Sequence, residues 1–167
     1  AAVWYEDTNS GEWNEVLLLT GTTGNTAGYG EVNGSNSDGS ILLGSSNGSS
    51  IASDGAFVYR EGSGVDVLGM VPQDASPATA GALDASEDGN IIVGFQREGF
   101  GGAQQFKATI WTPDTGLVLL KTYLNDMGAE IPEAFTLAAG MSVSDDGRVF
   151  CGWGYEGLFF AQEVWVA

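Results

Sequence analysis

Apolar residues along this chain gather in short clusters, among them Val16-Leu17-Leu18-Leu19, Ile41-Leu42-Leu43, Ala56-Phe57-Val58-Tyr59, Val65-Asp66-Val67-Leu68, Ile91-Ile92-Val93, Ala108-Thr109-Ile110-Trp111 and Leu117-Val118-Leu119-Leu120. Gly, Ser, Asn and Asp separate them. Apolar runs this short, bounded by turn formers, predict strands that are buried on one or both faces. None comes near the ~20 residues that a membrane-crossing helix needs, so no membrane insertion is expected. One segment has a different period. Leu120, Tyr123, Leu124 and Met127 stand at i, i+3, i+4 and i+7 with Gly128 just beyond, which predicts a short amphipathic helix over about 120–127 with a glycine cap.

The clusters repeat. The stretches Asn36-Ser37-Asp38-Gly39-Ser40-Ile41-Leu42-Leu43-Gly44, Ser86-Glu87-Asp88-Gly89-Asn90-Ile91-Ile92-Val93-Gly94 and Ser144-Asp145-Asp146-Gly147-Arg148-Val149-Phe150-Cys151-Gly152 superimpose without a gap, at intervals of 50 and 58 residues. The pairs Asp38-Gly39, Asp88-Gly89 and Asp146-Gly147 mark tight turns, because Asp bonds its own downstream backbone and Gly accepts a positive φ. An aromatic strand follows each turn, ending in Tyr59, Trp111 or Trp165, with Trp4 as a fourth copy near the start. These four rings at one repeat position are expected in the core. A turn and a further apolar strand complete a unit of four antiparallel strands, the arithmetic of a β-propeller blade. The expected fold class is therefore all-β, with one inserted helix. The expected organisation is one repeat domain over 1–167: a partial blade 1–24, blades 25–74 and 75–133, and a partial blade 134–167. Counting two, four, four and three strands leaves the ring open, so the expected partner is a segment or protomer of the same protein that completes the blades.

Several of these residues resemble a bacterial extracellular repeat family, the HAF repeats. Gly55-Ala56-Phe57-Val58-Tyr59 with Val65-Asp66-Val67-Leu68-Gly69 is similar to the family's His-Ala-Phe strand and its Asp-Leu-Gly strand, and the Ser-x-Asp-Gly runs resemble its other half. The stretch from Leu120 through Tyr123-Leu124 and Phe135-Thr136-Leu137-Ala138-Ala139-Gly140 to Glu163-Val164-Trp165-Val166 resembles the usual C-terminal portion of such proteins. Gly55 stands where the family's name-giving His is expected, and the chain has no His. The resemblance implies a propeller-like architecture and secretion or cell-surface display. It implies no defined catalytic role.

Composition narrows the chemistry. With 22 acidic and 5 basic side chains the formal charge is −17, which argues against a nucleic-acid partner. The absence of His and the single Cys151 exclude a Ser-His-Asp triad, a Cys-His pair and a His/Cys zinc site built by this chain alone. No two carboxylates are singled out by spacing for glycoside hydrolysis, so a carboxylate-dependent glycosidase ranks below a non-catalytic role.

Asp88, Asp145 and Asp146, with acidic neighbours in sequence, are the candidate calcium ligands; the alternative is that the turn carboxylates only tie their hairpins. Trp13, Phe100, Trp153, Tyr155, Phe159 and Phe160 lie off the repeat, in or beside glycine-rich loops. They are the candidate rings for stacking on an extracellular carbohydrate or on a neighbouring protomer. The expected function is a secreted or surface-displayed, non-catalytic repeat module for adhesion, matrix or filament assembly, with a carbohydrate-binding module as the alternative.

Overall fold

The computed structural model describes residues 2–7, 9–17, 29–47, 55–72, 78–99, 104–157 and 162–167. Thirteen strands and one helix lie within them. Strands β1 (Ala2–Glu6) and β2 (Trp13–Leu17) form a hairpin. Strands β3 (Tyr29–Ser35), β4 (Ile41–Asn47), β5 (Gly55–Arg60) and β6 (Gly64–Gly69) make a four-stranded meander. A second meander contains β7 (Ala78–Ala85), β8 (Ile92–Glu98), β9 (Gln105–Thr112) and β10 (Gly116–Leu119). Helix α1 (Leu120–Asp126) follows, and then β11 (Phe135–Val143), β12 (Phe150–Glu156) and β13 (Gln162–Val166) form a three-stranded sheet. Every strand pair is antiparallel. The strand content and the grouping into two, four, four and three agree with the repeat arithmetic.

The sheets pack in chain order. Strand β7 lies against β4 and β5, and β11 lies against β8 and β9, so the first strand of the second meander covers the first meander and the first strand of the three-stranded sheet covers the second. Two apolar cores result. Ile41, Leu43, Ala56 and Val58 meet Ala80, Ala82, Ala85 and Ile92 in one. Val93, Ala108 and Ile110 meet Leu120, Leu124, Leu137, Val143, Phe150 and Trp165 in the other.

Each first strand has the same irregularity. Register slips by one residue between Val32 and Gly34 in β3, between Ala82 and Asp84 in β7, and between Gly140 and Ser142 in β11. The bulged residues Asn33, Leu83 and Met141 are equivalent in the repeat. Just upstream, the carbonyls of Glu31, Gly81 and Ala139 press against Gly44, Gly94 and Gly152, leaving no room for a Cβ. That contact explains the glycine that closes each repeated motif.

Helix α1 forms where the 3.6-residue period placed it. Leu120 and Leu124 are buried, while Met127, the last member of the expected stripe, is exposed. Gly128, at φ 92°, donates to Asn125 O (2.9 Å) and Ala129 donates to Leu124 O (2.9 Å), a Schellman cap. Lys121 Nζ anchors the helix to the next loop through the carbonyls of Pro132, Glu133 and Phe135 at 2.8–2.9 Å.

The aromatic repeat needs one correction. Cross-strand register sets Trp165 opposite Gly152, where Phe57 stands opposite Gly44; Tyr59 and Trp111 instead pair with Leu42 and Ile92. Trp165 is thus the counterpart of Phe57, two residues from the position the motif suggests. A shift of two preserves the face, because side chains alternate with period 2. The ring of Trp165 fills the space over Gly152 as that of Phe57 does over Gly44. Tyr59 and Trp111 are only half-buried, and the side chain of Trp4 lies outside the described residues.

Gly94→Ala is expected to destabilise the fold by about 1–3 kcal/mol through overpacking against the Gly81 carbonyl. Gly62→Ala, in an open turn, makes no such contact and serves as the comparison at its own positive φ. Urea unfolding of the two variants checks this, and a Gly94→Ala midpoint equal to wild type would remove the packing account.

Candidate functional site

The three Asp-Gly turns share one hydrogen-bonding scheme, built from the residue two places before Asp. The backbone N–H of Asn36, Ser86 and Ser144 donates to the carbonyl of Ile41, Ile91 and Val149 at 2.9–3.1 Å. The side chains of the same three residues accept from the N–H of those partners at 2.9–3.0 Å. Asp then accepts from the N–H two residues on: Ser40 to Asp38 (2.9 Å), Asn90 to Asp88 (3.0 Å) and Arg148 to Asp146 (3.2 Å). Gly39, Gly89 and Gly147 occupy φ 65–76°. The hydroxyls of Ser86 and Ser144 also donate to Asp88 and Asp146, each at 2.7 Å. These bonds favour the charged carboxylate and hold all three Asp below their ordinary value of 3.8; the Ser40 side chain leads for Asp38, the Asn90 backbone for Asp88 and the Ser144 side chain for Asp146.

The turns therefore spend their carboxylates locally. Both Asp88 oxygens accept internal bonds, the second from Asn90 Nδ2 at 2.8 Å, and Asp146 Oδ2 lies 3.9 Å from Arg148 Nε. Asp145 is exposed, and its carbonyl accepts from the N–H of Glu87 (3.0 Å), a link between turns. Among the described residues no three acidic or Cys side chains converge on a point where a metal ion would sit.

The candidate aromatic residues are not gathered into one groove. Trp13 is 65% exposed on the β1–β2 hairpin. Trp153 is half-buried on β12 with its ring 5.5 Å from that of Phe106, which in turn lies 6.3 Å from Phe95. Tyr155 is half-buried two residues further along β12. Phe100, Phe159 and Phe160 lie outside the described residues. A polar group that the sequence did not single out lies nearby on the second meander. Glu98, 1% exposed, receives Lys107 Nζ at 3.1 and 3.2 Å and Gln96 Nε2 at 2.8 Å. Gln96, itself fully buried, exchanges both amide bonds with the backbone of Val71 at 2.8 and 3.1 Å. The arrangement clamps the segment after β6 onto β8. Alternation along β8 could have flagged two polar residues on the buried face, but no pattern pairs Glu98 with Lys107.

The feature that sets the three-stranded sheet apart is its outward face. By register Ala56, Ala108 and Val164 are equivalent, as are Val58, Ile110 and Val166. The following sheet buries the first two members of each set completely or nearly so, whereas Val164 is 84% and Val166 71% exposed. Val149, equivalent to the buried Ile41, is half-exposed, and the free thiol residue Cys151, equivalent to Leu43 and Val93, is partly exposed. These exposed apolar side chains occupy positions that pack into the core in the two preceding sheets, so they are a patterned face and not a scatter of single exposed side chains. Among the described residues, β13 also has a free edge, with its N–H and C=O groups available for pairing.

No family model, no curated protein and no solved structure matches this chain.

Ser86→Ala removes an acceptor for the Ile91 N–H and a donor to Asp88 in a buried setting. The expected loss is about 1–2 kcal/mol in urea unfolding, larger than for Ser144→Ala in its more exposed turn. Because the folded-state pKa values of Asp38, Asp88 and Asp146 are lowered, their stabilisation is present above the ordinary value and fades as pH falls through the folded values. Replacing all three by Asn should therefore open a gap in Tm at neutral pH that narrows on acidification below about pH 4; a gap independent of pH would take the charges out of the account.

Proposed function

We propose that this chain is a non-catalytic β-propeller repeat module, secreted or displayed at the cell surface, that serves adhesion, matrix or filament assembly. The observation that carries the reading is the exposed Val149, Val164 and Val166 surface, a copy of the face that each preceding sheet buries under its successor. In this reading the two four-stranded meanders are whole blades, and the two- and three-stranded sheets are blades that further strands of the same protein complete. Serial packing through β7 and β11, the first strands of their sheets, supports it, as does the recurrence of the same Asp-Gly turn bonding in all three repeats. A non-catalytic role is supported by the turn Asp side chains being bonded within their own loops and by Glu98 being held by Lys107 and Gln96. The resemblance to extracellular HAF repeats supports the location. The acidic surface suits a medium whose salt or divalent cations screen self-repulsion.

Cell fractionation and protease treatment of intact source cells test the location. The protein is expected in the surface or culture fraction and to be degraded by added protease, with an intracellular control intact. Confinement to the cytoplasm would overturn the reading.

A further inference from the structure

Deepening that reading, we infer that the exposed face of the three-stranded sheet is docked by a second copy of this chain, through the first strand of its first meander, β3. The chain already contains two such junctions. In each, a bulged first strand sits on the preceding sheet, and the glycine of one Asp-Gly turn sits over the residue three places after Asp in the turn before it. A Cβ on Gly89 would come within 2.5 Å of Ile41 Cδ1, and one on Gly147 within 2.5 Å of Ile91 Cδ1. The turns thus climb in register: Ile41 beneath Gly89, Ile91 beneath Gly147. Val149 is the next step, and nothing described lies over it to bury it.

The other half of the junction is on the same chain. Gly39, in the first turn of the series, has no described atom within 4 Å of its Cβ position, so the place taken by isoleucine at Gly89 and Gly147 is open. Val32 is 41% exposed, whereas its equivalents Ala82 and Gly140 are buried against the preceding sheet. Ser35 is exposed where Ala85 and Val143 are buried. At the first junction Ala80, Ala82 and Ala85 let β7 approach the sheet closely, and Ser35 gives β3 a small side chain at the position of Ala85. Seated this way, β3 of one copy covers Val164 and Val166 of the other while Gly39 of the first stands over Val149 of the second. The two surfaces differ, so the contact is head-to-tail and produces a closed ring or an open series according to its rotation.

Light scattering at 0.15 M and 1 M salt, over a range of protein concentration, reads the assembly. The wild type is expected to exceed the 17.3 kDa of one chain, and more so at high salt, where the repulsion between copies carrying −17 is screened. Val166→Lys and Val32→Lys each block one end at an already exposed site, and both lower the net negative charge, so added repulsion cannot explain a loss of assembly. Each variant alone is expected to remain a single chain. Mixed in equal amounts, they regain one intact junction and should form a particle of two chains. A wild type that is one chain at every concentration and salt overturns the inference, as do variants that assemble like wild type. Folded variants, checked by circular dichroism, whose mixture stays monomeric overturn it as well. A surface-displayed protein that is monomeric would sink the junction and leave the proposed function standing; a cytoplasmic protein that assembles this way would do the reverse.

Discussion

A short antiparallel sheet with apolar side chains on both faces cannot stand alone in water, and in this chain the constraint is met serially, the first meander being covered by the second and the second by the three-stranded sheet. The second meander commits one face to its predecessor and the other to its successor, as Ile92 and Val93 do from adjacent positions of β8. Hydrophobic burial of this kind scales with area removed from water, so stability is shared between neighbours and no sheet owns its core. The bulged first strand makes the close approach feasible. It carries Ala80, Ala82 and Ala85 toward the preceding sheet in β7, and in all three repeats it sets a carbonyl against a glycine of the second strand.

Polar bonds hold the same junctions in register. Ser37 Oγ donates to the Glu87 carboxylate at 2.7 Å, and Asn36 Nδ2 reaches the Glu87 carbonyl at 3.4 Å. Arg60 bridges the first junction, with Nη2 on the Gly89 carbonyl at 2.9 Å and its guanidinium 5.5 Å from the centre of the Trp111 ring. At the second junction Asp84 accepts from the Ser142 hydroxyl at 2.5 Å and the Val143 N–H at 2.9 Å, tying β7 to β11 beside the bulge. Apolar contact supplies most of the attraction at these seams. The polar groups penalise slippage, since a misplaced sheet would leave them unpaired.

The proposed role follows from the same serial logic. Among the described residues, the three-stranded sheet presents the surface that the repeating rule covers in the two meanders, and Gly39 has no atom in the place that isoleucine takes at Gly89 and Gly147. In that reading the binding chemistry is distributed over a β-face, a strand edge and a line of turns, which is the form an assembly surface takes.

Much of this was legible in the residues. The Asp-Gly repeat marked three of the four sheets and their order, because Asp side-chain bonding and glycine's positive φ are local chemistry that a turn must satisfy before anything else packs. The i, i+3, i+4 spacing placed α1, although it could not tell that Met127 would point into water. Trp165 was matched to the wrong ring for a physical reason: motif spacing counts residues along one strand, while the partner of an aromatic ring is decided by register across two. The Glu98–Lys107 pair joins side chains on adjacent strands β8 and β9, and no linear pattern brings them together. The sequence by itself determined the turns, the strand count and the antiparallel order, all set by interactions between near neighbours in the chain. Only the tertiary structure decided which equivalent positions are core and which are surface, since Val58 and Ile110 lie beneath the next sheet with a fourth strand beside them, and Val166 has neither among the described residues.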